Sequence, residues 1–130
     1  MKIETVPVPS VEDGEVLVKV FAAGINPVDT YIRSGQYAKL PRLPYTPGSE
    51  GAGVVARVGR NVTEVAVGDR VYVTGTITGT YAQYTVCAAA DVRRLPEQIS
   101  FEQGAAISVA YRTAYRALFQ VCRFEAEVEW

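Results

Sequence analysis

Gly51-Ala52-Gly53-Val54-Val55-Ala56 is the stretch that decides the fold, because it satisfies a loose form of the glycine-rich dinucleotide-binding fingerprint. That fingerprint works only when a strand precedes the glycines and a helix follows them, so that backbone amides meet the pyrophosphate. Here a proline-rich loop comes before the glycines, and valine-rich, β-type sequence comes after them. The sequence therefore predicts a strand with a tight glycine entry, and no dinucleotide site at this position.

Short strands separated by glycine turns surround this stretch. Alternating or valine-rich runs predict strands at 15–21, 54–58, 70–74 and 81–87. Three prolines make residues 40–48 an irregular loop. The order of several strands followed by helix predicts a mainly β domain with short helices, built as a partly open barrel or bent sheet with a helical exit.

Capping residues mark where the helices begin. Asn26 is placed as an N-cap, Pro27 as the first helical residue, and Asp29 as the acid of the first turn. Gly35 ends this helix after about two turns. A second capping motif occupies residues 100–103, and apolar residues at helical spacing then predict a long amphipathic helix over 107–122.

Composition excludes several classes of chemistry. The 130 residues contain no histidine, which removes Ser-His-Asp and Cys-His catalysis and every imidazole metal site. A net charge of -1 lacks the basic excess that a nucleic-acid binder needs, so nucleic acid is not expected as a partner. Cys87 and Cys122 form no Cys-x-x-Cys pair and suit a reducing compartment. With no leader or membrane-spanning stretch visible, we expect a cytoplasmic location and no membrane partner.

Four polar residues are candidates for a site, and each also has a structural interpretation. Asn26 is explained equally well as a helix cap, and Tyr31, one turn further, as a core aromatic. Glu50 fits a surface charge at the mouth of a strand, and Thr113 fits an ordinary helix-face residue. Spacing alone does not separate these alternatives.

Three motifs resemble one known family. They are AGINPVDTYIRSG at 23–35, PYTPGSEGAGVV at 44–55 and GDRV at 68–71. Together they resemble the quinone oxidoreductase (zeta-crystallin) branch of the medium-chain dehydrogenase/reductase superfamily, and the resemblance extends over roughly residues 3 to 125. It implies a GroES-like fold for the substrate-side, catalytic domain, as in the N-terminal domain of the alcohol dehydrogenases.

The resemblance also implies a site. Asn26 and Tyr31 would be catalytic, lining the cleft where nicotinamide and quinone meet, with amide and hydroxyl as donors to a carbonyl oxygen. Both would also contact the cofactor NADPH, together with Thr113 beneath the nicotinamide. A quinone or another small electrophilic carbonyl compound is the implied substrate. The Thr78-Gly79-Thr80-Tyr81 stretch is given no catalytic role.

No metal is expected. Zinc-dependent alcohol dehydrogenases of this superfamily carry a cysteine where Asn26 stands and a histidine where Ser49 stands. Neither replacement is a strong zinc ligand, so the resemblance implies a zinc-free site in which Glu50 is left from a former second shell.

The resemblance divides the chain into three parts. Residues 1–106 would form the GroES-like domain, 107–124 a helix that joins it to a second domain, and 125–130 a divergent tail. The family continues into a Rossmann domain where this sequence ends, so we expect the 130-residue chain alone to be inactive.

Two other functions stay open. One is an enoyl-thioester reductase, and the other is a non-catalytic protein that only binds partners. Homo-oligomers of a full-length form are a further option.

Overall fold

A computed structural model describes residues 1–122 of the chain. Its centre is a five-stranded antiparallel sheet in the order β4-β1-β2-β3-β5. The elements, in chain order, are β1 (Glu15–Ala23), α1 (Pro27–Arg33), β2 (Gly51–Val58), β3 (Arg70–Val73), β4 (Tyr84–Ala88), a 3-10 turn (Ala89–Asp91), β5 (Val92–Arg94), α2 (Phe101–Ala105), α3 (Ser108–Tyr115) and a π-helical segment (Arg116–Val121).

The predicted fold class is confirmed. The molecule is mainly antiparallel sheet with a few short helices, and β4 and β5 remain as the two edges of a sheet that does not close into a barrel within residues 1–122. Among these residues no helix is both long enough and apolar enough to cross a membrane.

The glycines predicted as the entry to a strand at 54–58 are themselves strand residues, because β2 begins at Gly51. Gly51 and Gly53 pair with β1 on one side and with β3 on the other. A Cβ atom at Gly53 would collide with the carbonyl oxygen of Lys19 on β1, so only glycine permits this close pairing of the two strands. The main-chain amides of Gly51 and Gly53 are therefore part of the sheet and are not free to hold a pyrophosphate.

Valine packing holds one face of the sheet. Each of these residues is at most 5% exposed: Val16, Val18, Val55, Val65, Val71, Val73, Cys87 and Val92. β-branched side chains fit a half-buried pleated surface, which explains why short strands suffice here. A second cluster joins Ala52 and Leu95 to Ala105 of α2, and so brings the helical end of the domain against β2.

Several boundaries differ from the prediction, and one strand was not predicted. β1 ends at Ala23 and not at residue 21, β2 begins at Gly51 and not at residue 54, and β3 ends at Val73 and not at residue 74. The strand expected at 81–87 begins only at Tyr84, because the amides of Thr80 and Tyr81 donate to Gly48 and Pro47 of the proline-rich loop. β5 was not predicted, since three residues are too few for a periodic signal. The long helix predicted over 107–122 is α3 followed by the π-helical segment. Residues 123 and 124 of the expected joining helix, and the expected tail 125–130, lie outside the described residues.

Candidate functional site

The start of α1 is fixed by its own first turn. Asn26 has extended backbone angles (φ -121°, ψ 151°) and occupies the N-cap, with Pro27 as the first helical residue. Its main-chain N–H donates to Asp29 Oδ2 at 2.9 Å, and the Asp29 N–H donates to the Asn26 carbonyl at 3.0 Å. The predicted cap position is thus confirmed. Neither of these bonds uses the side-chain nitrogen Nδ2 of Asn26, which donates to a different residue.

That partner is Glu50, which is buried. Only 3% of Glu50 is exposed, and its Oε1 accepts a hydrogen bond from Asn26 Nδ2 at 2.7 Å. Its Oε2 accepts one from the main-chain N–H of Val109, in the first turn of α3, at 2.6 Å. A carboxylate is favoured there because the first amides of a helix lack intrahelical partners and carry partial positive charge. Glu50 is therefore no surface charge: it joins the starts of β2, α1 and α3.

Gly24 makes room for this carboxylate. A Cβ atom at Gly24 would lie 2.5 Å from Glu50 Oε1 and 2.7 Å from the carbonyl oxygen of Ala105. The Gly24 N–H also donates to the Glu50 carbonyl at 3.1 Å. The end of β1 thus packs so closely on Glu50 that only glycine fits between it and α2.

Tyr81 binds the other side of α1. Its hydroxyl donates to Asp29 Oδ2 at 3.0 Å, and Asp29 is only 8% exposed. Burial, followed by the hydrogen bond and the charge of Asp29, raises the pKa of Tyr81 to about 12, and the Glu50 charge acts in the same direction. Sequence reasoning missed this contact, because the two residues are 52 positions apart and no motif connects them.

The other two candidates are exposed. Tyr31, on α1, is 50% exposed, so the alternative of a core aromatic is wrong. Thr113 is exposed on α3, one turn beyond Val109. Within residues 1–122 Thr113 has no hydrogen bond to Asn26 or Tyr31; it shares α3 with Val109, whose N–H donates to Glu50.

Comparison with known proteins places this architecture. Residues 12–97 match the model of the alcohol dehydrogenase GroES-like domain. The chain belongs to this family. It is 55% identical over 113 residues to human quinone oxidoreductase, covering 87% of this chain and 34% of that protein. The chain thus spans about a third of the length of the curated relatives it matches. The predicted resemblance to quinone oxidoreductases is confirmed.

Solved structures give the same GroES-like fold. Escherichia coli quinone oxidoreductase complexed with NADPH superposes with a TM-score of 0.83 at 39% identity, covering 92% of this chain and 36% of that chain. The human synaptic vesicle membrane protein VAT-1 homolog-like protein reaches a TM-score of 0.86 at 31% identity, covering 92% of this chain and 38% of that chain.

The side chains of this GroES-like domain offer little to a metal ion. Among residues 1–122 no group of three or more Cys, Asp or Glu side chains is arranged to hold one. Glu50, the carboxylate bonded to the Asn26 side chain and adjacent to Ser49 in sequence, already accepts N–H donors on both oxygens. An amide, a hydroxyl and an engaged carboxylate do not fit zinc.

Proposed function

We propose that this chain forms the substrate-side domain of a zinc-independent oxidoreductase that transfers electrons from NADPH to quinones. One observation carries the proposal. In a chain 55% identical to human quinone oxidoreductase, a buried carboxylate holds the Asn26 amide at the start of the helix that exposes Tyr31. Two neutral donors, the Asn26 amide at the N-cap and the exposed Tyr31 hydroxyl, thus belong to the same short helix.

The roles follow from the hydrogen-bond inventory. Asn26 Nδ2 has two protons, of which one goes to Glu50, so the second can be donated to a ligand. The exposed Tyr31 hydroxyl is a second donor. Donors held in place before reaction stabilise the negative charge that develops on a carbonyl oxygen as it is reduced. Thr113 is proposed as a further contact on the nicotinamide side.

NADPH fits these residues in part. When bound, it supplies the reducing equivalents. Asn26, Tyr31 and Thr113 suit the carbonyl and amide groups at the nicotinamide end. The pyrophosphate needs free backbone amides at a helix start, whereas the amides of Gly51 and Gly53 are paired within the sheet. The described residues therefore support binding of one end of the cofactor only.

A second candidate function is partner binding without catalysis. Large apolar side chains on α3 and the π-helical segment are about half to three-quarters exposed: Tyr111, Tyr115, Leu118, Phe119 and Val121. An absence of turnover in the experiment below would favour this candidate.

The test uses a fusion enzyme, in which residues 1–115 of this chain replace the matching part of human quinone oxidoreductase. We expect it to oxidise NADPH with a simple benzoquinone. Tyr31→Phe should lower kcat by removing a donor worth about 1–4 kcal/mol in the transition state, with the KM for NADPH nearly unchanged. Tyr72→Phe is the matched control, because it removes a tyrosine hydroxyl from β3 and leaves α1 unchanged. A folded fusion enzyme that binds NADPH but reduces no quinone contradicts the proposed function, and equal turnover in Tyr31→Phe contradicts the role of Tyr31.

A further inference from the structure

The same oxygen of Asp29 accepts two hydrogen bonds. Asp29 Oδ2 accepts the main-chain N–H of Asn26 at 2.9 Å and the hydroxyl of Tyr81 at 3.0 Å. A buried carboxylate needs such donors, because nothing else replaces the water it has lost. Tyr81 thus bonds directly to the carboxylate that sets the main chain of Asn26.

Tyr81 itself is held by the loop that leads into Glu50. Its N–H donates to the carbonyl of Pro47 at 3.0 Å, and its ring packs against Gly48. A Cβ atom at Gly48 would lie 2.5 Å from the Tyr81 ring, and Gly48 also has a positive φ of 93°. Glycine is therefore required at this position on two counts, and the ring is anchored independently of α1.

Asn26 is thereby held by two sets of hydrogen bonds. Its side chain is bonded to Glu50, the residue before β2, and its main chain is bonded through Asp29 to Tyr81. The hydrogen bond to Glu50 sets the direction of the Asn26 side-chain amide. The bonds through Asp29 set the position of the helix start that carries this side chain. The phenol donates at every pH at which an enzyme is assayed, because its pKa is raised to about 12.

We propose that Tyr81 is a positioning residue, which holds Asn26 in its reactive place through Asp29. The proposal rests on the proposed function, since it concerns the same site. It assigns Tyr81 no contact with substrate or cofactor. Its hydroxyl acts on turnover only through the Asn26 main chain.

The first test needs no activity and uses the 130-residue chain. Hydrogen exchange of the Asn26 main-chain amide, followed by NMR, should accelerate about three- to tenfold in Tyr81→Phe. Without the Tyr81 hydroxyl, Asp29 is held less firmly, and the bond from the Asn26 N–H to Asp29 opens more often. Tyr84→Phe, three residues along, is the matched control and should leave that exchange unchanged. Thermal unfolding shows whether each variant is folded. If Tyr81→Phe does not fold, Asp29→Asn, which keeps the size but weakens the acceptor, should show the same acceleration. Unchanged exchange in the folded variant overturns the proposal.

The second test is a double-mutant cycle in the fusion enzyme. Tyr81→Phe should lower kcat for the quinone about three- to tenfold and leave the KM for NADPH nearly unchanged. In the Asn26→Ala background the same change should have almost no effect, because the side-chain amide that Tyr81 helps to position is gone. A general loss of stability would lower activity equally in both backgrounds, and that result overturns the proposal.

The two failures are distinguishable. If Asn26→Ala and Tyr31→Phe leave turnover unchanged, the proposed function of this site fails, whatever Tyr81 does. If both lower turnover while Tyr81→Phe does not, the positioning role alone is wrong.

Discussion

Replacement of Glu50 is the most informative perturbation of this domain. Glu50→Ala removes the acceptor for Asn26 Nδ2 and for the Val109 N–H, and it leaves space next to Gly24. Glu50→Gln keeps the size but can accept only one of the two bonds, because its NH2 group then faces the other donor. Glu97→Ala, at an exposed acid, is the matched control.

The magnitude follows from the two donors. Each partly buried donor left without an acceptor costs about 1–3 kcal/mol, and the one lost methylene costs about 0.8 kcal/mol. Relief from burying a charge offsets several kcal/mol of this sum. We expect a net loss of about 2–4 kcal/mol for Glu50→Ala and about half of that for Glu50→Gln, out of a total near 5–15 kcal/mol for a domain.

Urea unfolding followed by far-ultraviolet circular dichroism measures these losses. With a urea dependence of about 1–3 kcal/mol per molar, the midpoint of Glu50→Ala should fall by about 1–3 M. Glu97→Ala should stay within about 0.5 kcal/mol of the parent. A Glu50→Ala variant as stable as the parent, or less affected than Glu50→Gln, would refute the reasoning that the carboxylate joins the three elements.

Three further outcomes are expected. Burial raises the pKa of Cys87 to about 12, and that of Tyr81 is raised to the same value, so both groups stabilise the fold while protonated. Stability should be retained up to about pH 9 and fall between about pH 9 and 12 in urea titrations, with a smaller loss above about pH 10 in Tyr81→Phe. The 130-residue chain alone should bind NADPH with a Kd of about 1 mM or weaker, because the free energy of a few neutral hydrogen bonds barely exceeds the free-energy cost of association. Saturation at micromolar concentration in a fluorescence titration would contradict this. Elemental analysis should find no stoichiometric zinc, and one tightly bound zinc per chain would contradict a zinc-free domain.

The local parts of the fold were predictable because their chemistry is local. The start of α1 follows from the chain order Asn26, Pro27, Asp29, in which each residue acts on a neighbour within three positions. The strands with valine alternation were likewise found, apart from their exact ends. The Gly-Ala-Gly stretch was assigned correctly from its flanking residues, since the steric need at Gly53 arises from the adjacent strand.

The contacts that build the site could not be predicted in the same way. Glu50 and Val109 are 59 positions apart, and the bond is made by a main-chain N–H, which leaves no trace in side-chain type. Asp29 and Tyr81 are joined across 52 positions, and both residues have ordinary local explanations, one as a helix-start acid and the other as a strand-entry aromatic. The family resemblance made Asn26 and Tyr31 candidates for the site but predicted none of the contacts that hold them.

The two oxygens of the Glu50 carboxylate bind different parts of the molecule, and this has a mechanical consequence. One oxygen holds the Asn26 side chain, and the other holds the first turn of α3. Because both belong to one planar carboxylate, a displacement of α3 acts on the same group that holds the Asn26 side chain. The direction of the Asn26 amide therefore depends on the position of a helix that lies outside the sheet. Thr113 is on that same helix, so the geometry that orients one proposed contact also places the other.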